Sequence, residues 1–330
     1  MSRTAHAAAR PSLSRREFGK IVIAGVPLAT ALGAAGLNAA GQVTFGVATS
    51  SFRELPRVEG LDNLDAVLRA LHAVQARHLE LGFMNIEPAP PNVEPRIGGT
   101  PAYPVRIVPT PEQVAATNTV YRRQLREWRM QTGLGHFEQI GAKLAAAGLS
   151  LHACAINYED AFTDEEIEIT LRQVTALGAS TVSSPMTMAT AARLVPFAER
   201  HRISIAIHNQ VDGNKAGAIA TSNLKDALAL SQRFKLRLDI GNLTASNRDA
   251  VAVFREHQSR VSHVLVKDRL RNGGVSQHFG EGDTPIPGVL SLLKTSESAI
   301  PAVVEYDYVG LHSPVEEVAA SLAYLTKAVK

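Results

Sequence analysis

Cysteine is almost absent from this 330-residue chain. The single cysteine, Cys154, rules out an intrachain disulfide, because a disulfide needs two thiols. Cys154 lies in an apolar stretch. We interpret it as a small buried hydrophobic residue rather than a reactive thiol.

Three further features are missing. No stripe of Lys and Arg interleaved with aromatic residues follows the N-terminal segment, so no nucleic-acid partner is indicated. No Gly-rich phosphate loop follows the first apolar strand, where Val47–Phe52 stands instead. The longest apolar run, Ile21–Leu37, is rich in glycine and broken by Pro27. It falls short of the ~20 strongly apolar residues of a membrane-spanning helix.

The first 40 residues are typical of an export signal. Arg15 and Arg16 precede the apolar run, and small residues at 39–41 provide a cleavage zone. Paired arginines before a moderately apolar run resemble a twin-arginine signal. A surface amphipathic helix is a weaker alternative, because Ile21–Leu37 carries no charge. We therefore expect residues 41–330 to be exported to the periplasm by the twin-arginine machinery, without a lipid anchor, since no cysteine lies near the signal.

Short apolar segments alternate with helical patterns along the rest of the chain. This alternation predicts an α/β fold, a (β/α)8 TIM barrel over residues 41–330. An open doubly wound sheet is the weaker alternative, because the phosphate loop is missing. The predicted strands are Val43–Ala48, His78–Phe83, Leu149–Ile156, Ser180–Ser184, Ile203–His208, Leu236–Ile240, Val261–Lys267 and Ala302–Tyr306. The predicted helices are Leu61–Ala76, Asp164–Leu177, Thr190–Arg200, Asn223–Gln232, Arg248–His257 and Pro314–Ala328.

One insertion interrupts the alternation after the second strand. Asn85–Thr110 contains seven prolines and is predicted to be a long loop, and Pro111–Gln131 is predicted to be an extra helix. A loop at this place would lie over the C-terminal mouth of the barrel. It is either a lid or binding loop or a solvent-exposed excursion, and the sequence leaves both open.

Polar residues occur at the carboxyl ends of several predicted strands. Side chains alternate along a strand, so the apolar set faces the helices and the polar set faces the barrel interior. In the third strand either Asn157 or Tyr158 reaches the mouth. Buried charges are costly unless they are paired or bound to a metal. The cluster is thus either a divalent metal site or a salt-bridge network, for example Lys267 with Asp239 or Glu305. The inward residues are Glu80, His208, Asp239, Lys267 and Glu305.

Five short motifs in barrel order resemble the sugar phosphate isomerase/epimerase families of the xylose isomerase-like superfamily. The resemblance extends from about Val43 to Ala328, and Glu80–Glu87 and Ala153–Tyr158 also look similar to these families. The five motifs are Ile207–Gln210, Leu238–Asn242, Val266–Arg269, Gly280–Ile286 and Val304–Tyr306.

The resemblance implies one divalent metal, Mn²⁺, Co²⁺, Mg²⁺ or Zn²⁺, at the mouth. The matching ligands are His208, Asp239 and Glu305. The seventh-strand ligand is missing, because this chain has Leu265-Val266-Lys267-Asp268 where relatives typically read His-x-Lys-Asp, and His263 lies one pleat deeper. Relatives often carry His also at the positions of Gln210 and Asn242. Three protein ligands with water are enough for a catalytic metal site.

The resemblance also implies the chemistry, which is proton abstraction next to the carbonyl of a sugar or 3-keto-glycoside. Its outcome is isomerisation, epimerisation or β-elimination, since all three begin with the same proton transfer. Glu305 would be base or ligand, His208 a ligand or second acid/base, and Lys267 would stabilise an oxyanion. Expected substrate-binding residues are Glu80, Asn157, Gln210 and Asn242.

Two other functions are alternatives to this enzyme. A non-catalytic sugar-binding barrel that has lost its metal is favoured by Leu265. A metal-dependent endonuclease of the same superfamily is disfavoured by the export signal and by the lack of a basic groove. The expected partners are a small sugar or glycoside, the export machinery and, as an open alternative, further copies of the chain. Export favours substrates without phosphate.

Overall fold

The computed structural model describes residues 42–91, 96–100, 103–213, 216–296 and 299–330. The predicted export signal lies outside these ranges. The strands are β1 Phe45–Ala48, β2 His78–Gly82, β3 Arg96–Thr100, β4 Tyr103–Ile107, β5 Ser150–Ala155, β6 Thr181–Ser184, β7 Ser204–His208, β8 Phe234–Asp239, β9 Val261–Val266, β10 Asp268–Arg269, β11 Ser276–Gln277 and β12 Ala302–Val304. Eight of them are parallel and close into a barrel in the order β1-β12-β9-β8-β7-β6-β5-β2, which confirms the predicted (β/α)8 fold.

The core lies between the barrel and its helices. Ile205 and Ile207 of β7 and Leu236 and Leu238 of β8 are fully buried in it, as their alternation predicts. The inward residues Ala48, Leu265 and Val303 form a separate apolar cluster, which continues across the register pair Leu265–Val303.

The helices are α1 Leu64–Ala73, α2 Pro111–Gln131, α3 Leu134–Ala146, α4 Asp164–Ala176, α5 Met188–His201, α6 Leu224–Ala229, α7 Ile240–Ala245, α8 Ala250–His257, α9 Ile286–Thr295 and α10 Pro314–Ala328. The bounds predicted for α2 and α10 are the observed ones. Three helices were not singled out from the sequence, namely α3, α7 and α9. Within the described ranges, no helix combines the length and apolar character needed to cross a membrane.

The Pro-rich insertion differs from the predicted loop. It contains an antiparallel hairpin of β3 and β4, in which Gly98 pairs with Val105. The sequence did not predict this hairpin, because prolines disfavour strands. A proline is nevertheless tolerated where a strand lies at the edge of its sheet. The next helix, α2, is fixed to the barrel layer by Arg129, which binds Glu87 at 2.6 Å and Glu166 of α4 at 2.6 Å.

Candidate active site

Asp239 ends β8 and at the same time caps α7. Its Oδ1 accepts from the backbone N–H of Asn242 at 2.8 Å, as an N-cap carboxylate does. This bond leaves Oδ2 aimed at the mouth, where it lies 2.9 Å from His208 Nε2 and 3.3 Å from Lys267 Nζ. Burial alone would raise the pKa of Asp239, but the Lys267 ammonium, together with His208, holds it well below its usual range.

Arg237 lies one pleat below Asp239 in the same strand and also points into the barrel. Its guanidinium donates to Oε2 of Glu80 from Nε at 2.9 Å and from Nη2 at 2.7 Å. It reaches Glu305 at 3.8 Å as well. Sequence reasoning missed Arg237, although its spacing of two from Asp239 puts both side chains on one face.

Glu80 lies deep in the barrel rather than at the open mouth, with only 1% of its surface exposed. Its other oxygen, Oε1, accepts from Ser183 and lies 3.1 Å from His263 Nε2. Both carboxylate oxygens are therefore engaged by the protein, and the position suits holding Arg237 better than contacting a substrate. His263 lies at this deeper level, as expected from its place one pleat below Leu265.

The contacts of His208 define its protonation state. A guanidinium can only donate, so Nη1 of Arg237, at 2.8 Å, makes Nδ1 of His208 the acceptor. The proton of the neutral ring then sits on Nε2 and is donated to Asp239. Burial lowers the pKa of His208, and the guanidinium lowers it further. The ring is therefore neutral, and neither nitrogen has a free lone pair.

Lys267 follows β9 immediately, and its ammonium is surrounded by three carboxylates. Nζ lies 2.7 Å from Glu305 Oε2, 3.0 Å from Asp307 Oδ2 and 3.3 Å from Asp239 Oδ2. The salt-bridge alternative from the sequence named Asp239 or Glu305 as partners. The structure brings both to Lys267 at once and adds Asp307. Burial alone would lower the pKa of Lys267, but these three carboxylates raise it.

Glu305 follows β12, and of the three carboxylates around Lys267 it lies nearest to Nζ, at 2.7 Å. Ser50, from the 3-10 turn after β1, donates to its Oε1. Burial alone would raise the pKa of Glu305, but Lys267 and Arg237 lower it to about 2. Ser50 was missed from the sequence, because only barrel closure brings β1 beside β12.

The remaining predicted substrate-binding residues divide into two groups. Asn157 is exposed and Gln210 half-buried, and both line a cavity of about 240 Å³ at the ends of β5, β6 and β7. Tyr158, the alternative to Asn157, is buried with its hydroxyl bonded to Thr170. Asn242 is buried too, with its amide joining Asn209 and Arg269, so it holds loops together.

The donor set does not fit the divalent metal implied by the resemblance. His208 cannot offer Nε2 as a ligand while that atom carries a proton, and the carboxylates of Asp239 and Glu305 are ion-paired with Lys267, although Oε2 of Glu305 is buried without a hydrogen-bond partner among the described residues. Leu265 pairs in register with Asp239 and packs its apolar side chain on Ala48 and Val303. In the described part of the chain, no three His, Cys, Asp or Glu residues are grouped so that they could hold a metal ion.

Comparisons by structure find solved proteins with a similar barrel. An L-ribulose 3-epimerase aligns with a TM-score of 0.59 and 10% identity over 87% of this chain and 95% of that chain. An IolI protein with a bound zinc atom aligns at 0.57 and 12% identity, over 87% and 98%. A sugar phosphate isomerase/epimerase from Parabacteroides distasonis aligns at 0.54 and 15% identity, over 89% and 97%.

The chain shares the barrel fold of these three proteins. At such identities the likeness establishes the fold alone. No family model matches the sequence, and no curated protein matches it significantly.

Proposed function

We propose that this chain is an enzyme that removes a proton next to the carbonyl of a sugar or 3-keto-glycoside. The observation that carries the proposal is the position of the Lys267 ammonium, 2.7 Å from the Glu305 carboxylate at the C-terminal mouth of the barrel. The mouth is where TIM-barrel enzymes carry out their chemistry. A fixed cation beside a carboxylate base is what enolate formation needs, because negative charge develops on the carbonyl oxygen as the proton leaves.

In the proposed mechanism the substrate carbonyl oxygen approaches Nζ of Lys267. The ammonium donates to the oxygen and stabilises the enolate, while Glu305 takes the proton from the adjacent carbon. The low pKa of Glu305 rises during this approach, because Lys267 then shares its charge with the substrate. Isomerisation follows when the adjacent hydroxyl gives its proton to the enolate oxygen and the former carbonyl carbon takes the proton from Glu305. Epimerisation follows when water delivers a proton to the other face of the same carbon, and elimination follows when a β-alkoxide leaves with the proton that Glu305 holds.

His208 is a positioning residue in this proposal. Its ring joins Arg237 to Asp239, so it holds the Asp239 carboxylate that in turn orients Lys267. Because both of its nitrogens are engaged, His208 has no lone pair with which to take a substrate proton.

The charges at the site favour a substrate without phosphate. Four carboxylates surround two cations, so a phosphate would meet net repulsion. A neutral sugar or glycoside avoids it, and this agrees with the proposed export of the mature chain to the periplasm. Asn157 and Gln210, which line the cavity at the ends of β5, β6 and β7, are the proposed sugar-binding residues. The charged groups are Glu80, Asp239, Glu305, Asp307, Arg237 and Lys267.

Deuterium exchange tests the proposal. Ketoses and 3-keto-glycosides are incubated with the purified protein in D₂O, and deuterium at the carbon next to the carbonyl is followed by NMR. Glu305→Gln should slow exchange by about 10²–10⁴-fold and Lys267→Met by about 10²–10³-fold. Lys225→Met is the control, because Lys225 is an exposed lysine paired with Glu256.

A non-catalytic sugar-binding barrel is the second candidate function. The complete pairing of His208 and Lys267 with protein groups favours it, since a structural network would look the same. It predicts that a sugar binds, by calorimetry, while deuterium exchange stays at the rate of the buffer. Exchange that is catalysed by the parent and lost in the Glu305 variant would exclude this candidate.

A further inference from the structure

The mouth of the barrel contains a cation of the protein's own at the point where carboxylates converge. We propose that the Lys267 ammonium takes the place of the divalent cation in this barrel, so that the centre is built to work without a metal. The part of this inference that concerns catalysis rests on the proposed function. The part that concerns metal binding rests on the geometry alone.

The Lys267 ammonium has as many N–H groups as there are carboxylates around it. A lysine ammonium has three N–H donors, and Nζ of Lys267 has three carboxylates at 2.7–3.3 Å, from Glu305, Asp307 and Asp239. The ammonium is thus within ion-pair distance of all three carboxylates. A divalent cation would need the same oxygens at about 2.0–2.6 Å, and it would meet the charge of the ammonium at the centre of the group.

Residues on the two neighbouring strands, β8 and β9, also fit a centre that is occupied by the Lys267 ammonium. On the β8 side, Arg237 holds His208 in the tautomer whose Nε2 donates to Asp239, so the ring adds a donor instead of a metal ligand. On the β9 side, Leu265 closes the position in register with Asp239 by packing on Val303. Two independent features therefore remove nitrogen ligands at the place where Lys267 provides the positive charge.

The inference predicts that deleting the ammonium creates a metal site. In the parent these carboxylates are not grouped so that they could hold a metal ion, because the ammonium stands between them. In Lys267→Ala the carboxylates of Asp239, Glu305 and Asp307 lose their shared cation and can close around a metal ion. Because carboxylate oxygens are hard ligands and like charges must be neutralised, Mn²⁺ should bind the variant about 100-fold tighter than the parent, or more. Lys267→Arg keeps a cation at the same position and should bind Mn²⁺ as weakly as the parent does.

The experiment has two parts. The parent is purified, its divalent metals are quantified, and Mn²⁺ is titrated with electron paramagnetic resonance and calorimetry as readouts. The same titration is made on Lys267→Ala, Lys267→Arg and the surface control Lys225→Ala, with circular dichroism to check folding. We expect no stoichiometric metal and no Mn²⁺ site in the parent, and tight binding in Lys267→Ala alone.

A parent that retains about one equivalent of metal, or that binds Mn²⁺ tightly while Lys267 is present, would overturn the inference. A folded Lys267→Ala protein that binds Mn²⁺ no better than the parent would overturn it too. Should Lys267→Ala not fold, the parent titration and Lys267→Arg still decide. Absence of deuterium exchange in a metal-free parent would refute the proposed function and leave the metal-binding result standing.

Discussion

The Arg237–Glu80 pair at the centre of the barrel makes a quantitative prediction about stability. Glu80 is 1% exposed, and its Oε2 accepts two N–H groups from Arg237. Arg237→Met removes both donors and leaves a buried carboxylate whose remaining partners are Ser183 and His263. Breaking a buried pair by removing one partner costs about 3–5 kcal/mol in the free energy of unfolding.

A further loss comes from His208, whose Nδ1 loses its donor, at about 1 kcal/mol. We therefore expect Arg237→Met to lower the free energy of unfolding by about 4–6 kcal/mol. At roughly 2 °C per kcal/mol for a domain of this size, Tm should fall by about 8–12 °C. Urea denaturation followed by circular dichroism measures the first quantity, and calorimetry measures the second.

Two further variants distinguish the cost of breaking the Arg237–Glu80 pair from the cost of replacing any arginine. Arg200→Met removes a solvent-exposed arginine that pairs with Glu168, so it should cost about 0–1 kcal/mol. The double variant Arg237→Met with Glu80→Met replaces both buried partners by apolar side chains, and it should be more stable than Arg237→Met alone.

The stability that Arg237→Met loses should depend on pH, in a direction that follows from the pKa of Glu80. In the parent, burial alone would raise the pKa of Glu80, but Arg237 and His263 hold it below its ordinary value of 4.5, so the pair stabilises the fold at neutral pH and loses this effect as the pH falls. In Arg237→Met the charge that opposes burial most strongly is gone, so the pKa of Glu80 should rise from its value in the parent, and protonation should then cost the folded state less. The difference between parent and variant should therefore shrink from pH 7 to pH 4. A loss below about 1 kcal/mol at pH 7, or one that is the same at both pH values, would refute this reasoning.

Three further predictions follow from single features of the chain. Ser50→Ala removes a donor to the Glu305 carboxylate, so the pKa of Glu305 should rise. The acid limb of the pH profile of deuterium exchange should then move to higher pH. An unchanged pH profile would mean that Glu305 does not titrate in the reaction. Cys154 is fully buried, and burial raises the pKa of its thiol, so iodoacetamide should label it in urea and not in buffer, as mass spectrometry would show. Replacing Arg15 and Arg16 by Lys should retain the chain in the cytoplasm, and fractionation that still finds it in the periplasm would argue against twin-arginine export.

Much of the barrel was predictable because its signals are local. Strand alternation placed His208 and Asp239 on the inner face, and both lie there, 2.9 Å apart. The N-cap role of Asp239 also depends on a residue only three positions away. Short-range periodicity thus indicates the direction of a side chain before any tertiary contact is known.

The partners of these residues were harder to predict, because they depend on barrel closure. Ser50 and Glu305 are 255 positions apart, and Glu80 and Arg237 are 157 apart. Alternation shows that each side chain points inward, and it does not show at which level of the barrel the side chains meet. The depth of Glu80 follows from the stagger of the strands, which is a property of the closed sheet.

The most direct test of the account is deuterium exchange on a 3-keto-glycoside or ketose by protein treated with a chelator and shown to be free of metal. The account predicts that exchange next to the carbonyl persists without metal, is unchanged by added Mn²⁺, and is lost in Lys267→Met. Exchange that requires added metal, or that survives the loss of the Lys267 ammonium, would contradict it.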